Sequence, residues 1–385
     1  MNRPRIPIFL LPYNAQKWIV QSMELVEMFH LSQCSKRTFN VVKMEVATLE
    51  DQPEFAITLD SVSKFHLSSE HLQETSMINF VFYHRRHKDS LDLEDPYTYR
   101  FDTVKIDLCP KQNRPGAFFC ASNDLPDVLK FIGYVMKLFN PSIGKICIDS
   151  VKPGGIEQLY EIEGCKKCEQ LEVKTGRVTA SEMNLILGGF QKKKLEVKSK
   201  IGPSVYIYNL VISGDSLSLH NAKWFKRHNL GLLDAKRVEL VGCLFTNEDL
   251  RRFCIHWLMT NNQKLEVLEF GGRIGDSKEI LEALSQREIG KGLPVHRGGM
   301  KPAAAMQRAN VPAYYPYQNG LDLVRKCDGQ VATILVTPNF ISKQNLFIFV
   351  VWPLLRVNPN QVRRVNAVPA VPAVPAVPAV PAVPN

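Results

Sequence analysis

The chain has 385 residues and a net charge of +10, with 48 Lys and Arg against 38 Asp and Glu. Its 45% hydrophobic and 22% charged residues are those of a soluble globular protein long enough for two domains, or one elongated domain, with a real core. The basic excess permits nucleic acid, acidic lipid or acidic protein as partners but selects none of them, because Lys and Arg are spread along the whole chain.

The opening stretch RIPIFLLPYNAQKWIV sets two arginines before an apolar run. Pro7 and Pro12 bracket that run, and Gln16, Lys17 and Trp18 follow it where an export signal needs small residues. The expectation is therefore the entry to a folded, intracellular domain. Ala15, Trp18, Ile19 and Met23 recur at helical spacing, followed by Leu25, Met28, Phe29, Val41 and Val42. They predict about three short helices over 14–42. So small a set buries little by itself, and its apolar surplus needs a neighbour or a partner. Within it, Cys34 falls in phase with the apolar residues and is expected in the core.

From 53 to 110 the pattern turns to strands: EFAITLD, INFVFYH and YTYRFDTVKIDL. His84 and His87 flank two arginines in a polar link there, which reads as a solvated loop. The chain then repeats. LEV occurs at Leu171–Val173, Leu195–Val197 and Leu265–Val267, and VEL at Val238–Leu240. Each triplet sets two apolar side chains on one strand face and a glutamate on the other. Asp124 with Asp127, Thr179 with Glu182, and Thr246 with Asp249 have the spacing of capping boxes that open amphipathic helices. Strand and helix units of about 25–28 residues suggest an irregular leucine-rich-repeat-like solenoid; the alternative is a generic α/β layer. The lysines at Lys192–Lys194 follow a predicted helix and are expected on a solvated surface.

Residues 272–318 lose the pattern and read as a loop or linker. GLDLVRKCDGQVATILV and NLFIFVVW then predict a hairpin and a third strand. The chain ends on six copies of AVP and an asparagine, where proline at every third position favours a disordered, extended tail. The apolar stretch Leu346–Leu355 contains Pro353 and is about half of the ~20 residues needed to span a bilayer.

Chemistry-bearing patterns are sparse. Nine cysteines show no regular spacing, and Cys165 and Cys168 lack a second pair for a zinc site, so reduced thiols are expected. No phosphate-binding glycine loop, nucleophile elbow or metalloprotease motif occurs. Glu172 and Glu196, one repeat apart, are expected in register on an exposed strand face, where polar ladder positions outnumber acid–base pairs. The chain is expected to be neither enzyme, metal binder nor cofactor carrier.

Ile6–Val42 resembles an F-box. The resemblance rests on Leu11–Pro12, the Ile19–Val20 pair, Met23 before an acidic residue, then Met28, Phe29, Leu31 and the LSQCSKR of 31–37. That last stretch is similar to a variant abundant in nematode F-box proteins. Leu10 stands where a basic residue is common there, and Leu25 where a proline often caps the second helix. The second half is similar to the F-box-associated type 2 domain through NAKWF at 221–225, RVELVGC, NEDLRRFCIHWL, KLEVLEF and the GLDLVRKCDGQVATILV…FVVW ending.

The resemblance implies an α+β protein. Its F-box would span 5–45, a strand-rich connection 46–120, associated repeats 121–271, and closing strands 319–353; the linker at 272–318 and the AVP tail at 366–385 lie outside the resemblance. It further implies a non-catalytic substrate receptor of an SCF-type (Skp–cullin–F-box) ubiquitin ligase in the cytoplasm or nucleus. Leu11, Pro12, Ile19, Val20, Met28, Leu31 and Phe39 would touch a Skp-family adaptor or pack the F-box core. The C-terminal half would hold a protein target. A scaffold with a relict F-box is the alternative, and a nucleic-acid binder a third reading that rests on charge alone.

Overall fold

The structure, a computed structural model, describes residues 8–49, 53–59, 64–68, 78–84, 97–101, 104–110, 117–122, 125–149, 154–201, 212–272, 295–297, 320–325, 327–339 and 344–356. Between 64 and 122, at 295–297 and at the outer ends of the last strands it places the backbone alone. Three helices open the chain: α1 (Tyr13–Gln21), α2 (Leu25–Cys34) and α3 (Lys36–Val46). Pro12 stands at the N-cap of α1, where a fixed φ and missing N–H cost nothing. LSQCSKRT supplies the break between α2 and α3. The Ser35 hydroxyl accepts from the Thr38 N–H at 3.1 Å, and Thr38 Oγ1 accepts from the Ser35 N–H at 2.8 Å.

A mixed α/β body follows, built on one 16-stranded sheet. Its central run contains β1 (Glu54–Leu59), β7 (Ser142–Ile148), β8 (Lys167–Val173), β10 (Gln191–Val197), β12 (Ile212–Leu219), β13 (Leu233–Val241) and β14 (Val267–Gly272). These pair parallel throughout, and from β7 to β14 each new strand joins the edge left by the one before. Beyond β1 lie β2 (Lys64–Ser68), β3 (Ile78–His84), β6 (Ala117–Ser122), β5 (Val104–Pro110) and β4 (Tyr97–Phe101). Beyond β14 the sheet turns antiparallel through β18 (Gln344–Arg356), β17 (Gln330–Asn339), β16 (Leu321–Val324) and β15 (Val295–Arg297). Two short strands, β9 (Arg177–Val178) and β11 (Lys200–Ile201), form a separate parallel pair. The expected closing hairpin and third strand are β16, β17 and β18. β15 and Gly272, the last residue of β14, lie inside the expected linker, so that stretch is not wholly loop. The rest of the linker, Asp124, His87 and the AVP tail lie outside the described residues.

Helices α4 (Leu125–Phe139), α5 (Gly155–Glu161), α6 (Ala180–Asn184), α7 (Arg227–Leu230) and α8 (Asn247–Met259) connect the parallel strands. Capping boxes at Thr179/Glu182 and Thr246/Asp249 open α6 and α8 as their spacing requires. Glu182 does more than cap. Its second carboxylate oxygen accepts the Gly154 N–H at 3.0 Å, where φ is +89°, and so ties the entry of α5 to α6. α6 closes through a π-turn at Leu185–Gly189, whose end carbonyls Leu187 O and Phe190 O accept from Lys192 Nζ at 2.6 and 3.1 Å. Lys192 is therefore half-buried, against the expected solvated surface, and desolvation lowers its pKa to about 8. Lys193 and Lys194 are exposed as expected.

One apolar core runs from Val20 to Val351. It takes in Phe29 of α2, Phe131 and Phe139 of α4, Leu171 and Leu195 of the repeats, and Trp224 and Trp257. Each such fully buried large side chain contributes about 1.5–3 kcal/mol. The opposite sheet face carries a second cluster of Val267, Val324, Val331, Leu335, Ile348, Val350 and Trp352 at the antiparallel end.

The fourth triplet is displaced from its expected position. Leu268–Glu269–Phe270, not Leu265–Val267, stands in register with Val238–Leu240. Leu265 packs in the main core and Val267 in the second cluster, because the chain is still entering the strand there. β7 and β12 carry the same apolar–polar–apolar pattern without a glutamate, in Ile146–Cys147–Ile148 and Leu217–Ser218–Leu219, so no LEV or VEL triplet marks them in the sequence.

Candidate functional site

Two surfaces stand out. The first is the N-terminal helical unit. Among the residues expected at an adaptor contact, Val20 (0% exposed) and Met28 (1%) are enclosed in the core. Leu31 and Phe39 are half-buried and packed against that core, Phe39 with its ring 5.3 Å from Tyr134. Leu11 and Ile19 are half-buried and Pro12 is exposed. Around them the unit leaves large apolar side chains open: Leu10 at 81%, Tyr13 at 57% and Trp18 at 77%. Leu10 and Trp18 were not singled out as contacts in the sequence, since Trp18 shares the helical phase of the apolar residues. Cys34 is exposed, contrary to the expected core position. It ends α2, where its thiol donates back to the His30 carbonyl instead of turning inward.

The second surface is the sheet face opposite the main core. Strand alternation places Glu172, Glu196, Ser218, Glu239 and Glu269 in one row across β8, β10, β12, β13 and β14. Glu172 and Glu196 are thus in register, as their spacing predicts. Glu172 departs from expectation in being buried, because lysines close over it. Lys174 Nζ lies 2.7 Å from Glu172 Oε1, Lys145 Nζ 2.9 Å from Oε2 and Lys198 Nζ 3.7 Å from Oε1. Burial by itself raises this carboxyl, but hydrogen bonds from Lys174 and Lys145 outweigh it and hold the pKa at about 2. Lys198 also pairs with Glu196 at 2.6 Å. Farther along, Glu239 accepts the Ser218 hydroxyl at 2.7 Å, and burial next to Glu239 raises the Glu269 pKa.

At the carboxyl ends of β8 and β10 this face opens into a cleft of about 490 Å³. The repeated LEVK of 171–174 and 195–198 brings Lys174 and Lys198 to its wall, and the β9–β11 ladder adds Arg177 and Lys200, paired in register. Asn221, at φ +53°, turns the chain beside them and donates to the Lys198 carbonyl at 3.4 Å. The LEVK repetition was the available signal for this cleft in the sequence. No group of three or more metal-ligating side chains occurs among the described residues, and no described helix is long and apolar enough to cross a membrane.

Comparison with known proteins meets this geometry in one place. Residues 207–270 match the family model described as F-box associated. The match ends in β14 and covers the row positions of Ser218, Glu239 and Glu269; it does not reach the N-terminal helices. Two Caenorhabditis elegans proteins are similar to this chain. The uncharacterized protein F59B2.9 is 23% identical over 271 residues, spanning 68% of this chain and 60% of that protein. The chain thus spans less than two thirds of that relative's length. The uncharacterized protein F59B2.8 is 24% identical over 369 residues, spanning 91% of this chain and 78% of its own length. No solved structure matches the chain significantly.

Proposed function

We propose that this protein is the substrate-recognition subunit of an SCF-type ubiquitin ligase. The observation that carries the reading is the F-box-associated match at 207–270 in a chain whose N-terminal helices leave Leu10, Tyr13 and Trp18 uncovered. In this reading the helices, over about 5–45, dock on a Skp-family adaptor and through it a cullin. Residues from about 121 onward hold a protein target on a leucine-rich-repeat-like solenoid, formed by the sequential parallel strands β7 to β14. The subunit works in the cytoplasm or nucleus and carries no catalytic group. It supplies proximity to chemistry performed by other subunits.

The test is co-purification. Leu11→Ala with Pro12→Ala abolishes capture of the adaptor and leaves the circular dichroism nearly unchanged. Undiminished capture sinks the assignment of those residues. One observation favours a second reading, an interaction scaffold outside any ligase: Val20 and Met28 are enclosed, while Leu31 and Phe39 pack on the main core, so four of the seven expected anchors serve this fold. A wild-type chain that never captures the adaptor supports that scaffold.

A further inference from the structure

We propose that the groove where α3 and α4 meet the amino ends of β7, β8 and β10 receives an amphipathic helix of a partner protein, with its apolar face on the floor and carboxylates along one flank. The groove has a volume of about 1950 Å³, more than the roughly 1,300 Å³ of a three-turn helical cylinder about 10 Å wide. Leu129, Tyr134, Met136, Ile143 and Ile162 give it an apolar lining. Gly133 marks the place of closest approach. It lines the groove from the middle of α4, where a glycine weakens the helix. Its φ is not in the left-handed region, so the backbone does not require glycine there. Nor does packing within the chain, because a Cβ built at Gly133 meets no atom within 4 Å among the described residues. Gly164, in the same groove, is different: a Cβ there would lie 2.3 Å from Met136 Cε. The open space over Gly133 lets a second helix lie low across α4, as ridges of one helix seat in the grooves of another.

Charge sets the chemistry of the partner. The lining from α3 and α4 holds Lys43, Lys130 and Lys137 and no carboxylate among the described residues. Lys43 and Lys137 are exposed, and no described carboxylate pairs with either. The lining from α5, the following turn and β8 is mixed. There Glu163 is matched by Lys166 at 2.5 Å and Glu169 by Lys193, while Glu161 and Lys167 balance each other. A helix with carboxylates on one flank sets them against Lys43 and Lys137 and keeps them from the glutamates. A nucleic acid carries charge along both edges and meets those glutamates, and a flat bilayer does not reach a concave floor. The groove is also apart from the adaptor face. Phe39, Lys43 and Ala47 follow each other at four-residue spacing along α3 and its C-cap, toward Tyr134. Glu45, on another face of α3, accepts the Tyr13 hydroxyl at 3.1 Å. Occupation of the groove therefore does not depend on adaptor docking.

The experiment uses the full chain and fluorescent amphipathic peptides with degenerate apolar residues at i, i+3, i+4 and i+7. Two sets carry Glu or Lys on the polar flank. The Glu set binds at least about tenfold tighter than the Lys set in fluorescence polarisation, and it gains helical circular dichroism on binding. A proline at the centre of the peptide removes the binding. Gly133→Leu fills the floor and removes it too. Gly133→Ala weakens binding several-fold yet raises the thermal midpoint, since alanine is the better helix former; a glycine kept for the fold alone gives no such opposition. Lys43→Glu with Lys137→Glu turns the preference toward the Lys set. Equal binding of the two sets, or none by either, overturns the proposal, as does binding that survives Gly133→Leu or the central proline. Should Gly133→Leu fail to fold, an unchanged affinity in Gly133→Ala overturns it instead. Stronger competition by a single-stranded oligothymidylate than by the Glu peptides assigns the groove to nucleic acid. Cosedimentation with phosphatidylserine vesicles that Gly133→Ala weakens assigns it to lipid, and either result also overturns the proposal.

Discussion

Ser32 Oγ lies 2.8 Å from the phenolic oxygen of Tyr134, a hydrogen bond that joins the second N-terminal helix to the first long helix of the sheet body. Gln33 donates to the same phenol, and Phe29 meets the Tyr134 ring edge-on with centroids 6.3 Å apart. The N-terminal helices are thus fastened to the sheet body by both apolar and polar contacts. Tyr134→Phe removes the polar part and costs about 1 kcal/mol, read as a lower urea midpoint at unchanged m-value. Burial pushes this phenol up to about 12, ahead of the opposing hydrogen bonds from Ser32 and Gln33. The folded form therefore holds the proton more tightly than the unfolded one. That stability is intact below pH 10 and is lost as pH rises through about 12.

Glu172 carries the opposite pH dependence. Its folded pKa of about 2 lies below the ordinary 4.5, so its contribution is present above pH 4.5 and disappears as pH falls toward 2. Glu172→Gln weakens the contacts to Lys145 and Lys174 and costs about 1–2 kcal/mol at neutral pH, because both lysines can turn to water. In acid titration followed by circular dichroism the difference between wild type and variant narrows as the pH approaches 2.

The Arg325 guanidinium is fully buried, forks onto Asp328, donates to the Asn262 carbonyl at 2.7 Å and lies 4.7 Å from the centre of the Trp257 ring. Arg325→Ala removes the fork from the Asp328 carboxylate, which keeps the Gln330 N–H at 3.0 Å, and costs about 3 kcal/mol in chemical denaturation. Arg325→Lys recovers little, since an ammonium cannot reproduce the fork or the stacking.

Thiol alkylation mapped by mass spectrometry separates the described cysteines into two groups. Cys34 and Cys327 are exposed and modify in the native protein. Burial pushes Cys165 up to about 12 and Cys168 and Cys243 to about 11, and raises Cys147 and Cys254 as well, so these five modify only after unfolding. Rapid native modification of Cys165 or Cys168 contradicts their placement.

Trp18 is exposed while Trp224, Trp257 and Trp352 are buried, so one of the chain's four tryptophans reports on the N-terminal surface. Adding a Skp-family adaptor shifts its emission to the blue and shields it from iodide. Trp18→Phe abolishes that change and alters stability by less than about 0.5 kcal/mol. An unchanged spectrum at saturating adaptor contradicts docking on this face.

The sequence by itself determined the local grammar of this protein. The LSQCSKRT break, the threonine capping boxes and the two-residue alternation of LEV and VEL depend on neighbours within a few positions, and short-range sterics and hydrogen bonding suffice to fix them. The register of Glu172 with Glu196 was legible for the same reason. What only the tertiary structure decided depends on distant chain. Lys145, Lys174 and Lys198 converge to bury Glu172, and α4 turns Leu31 and Phe39 inward. Register set by the incoming strand moves the fourth triplet to Leu268–Phe270, and the ends of two repeats bring Arg177 beside Lys200. Those placements follow from which surfaces remain once the core has closed, and a linear pattern does not carry that information.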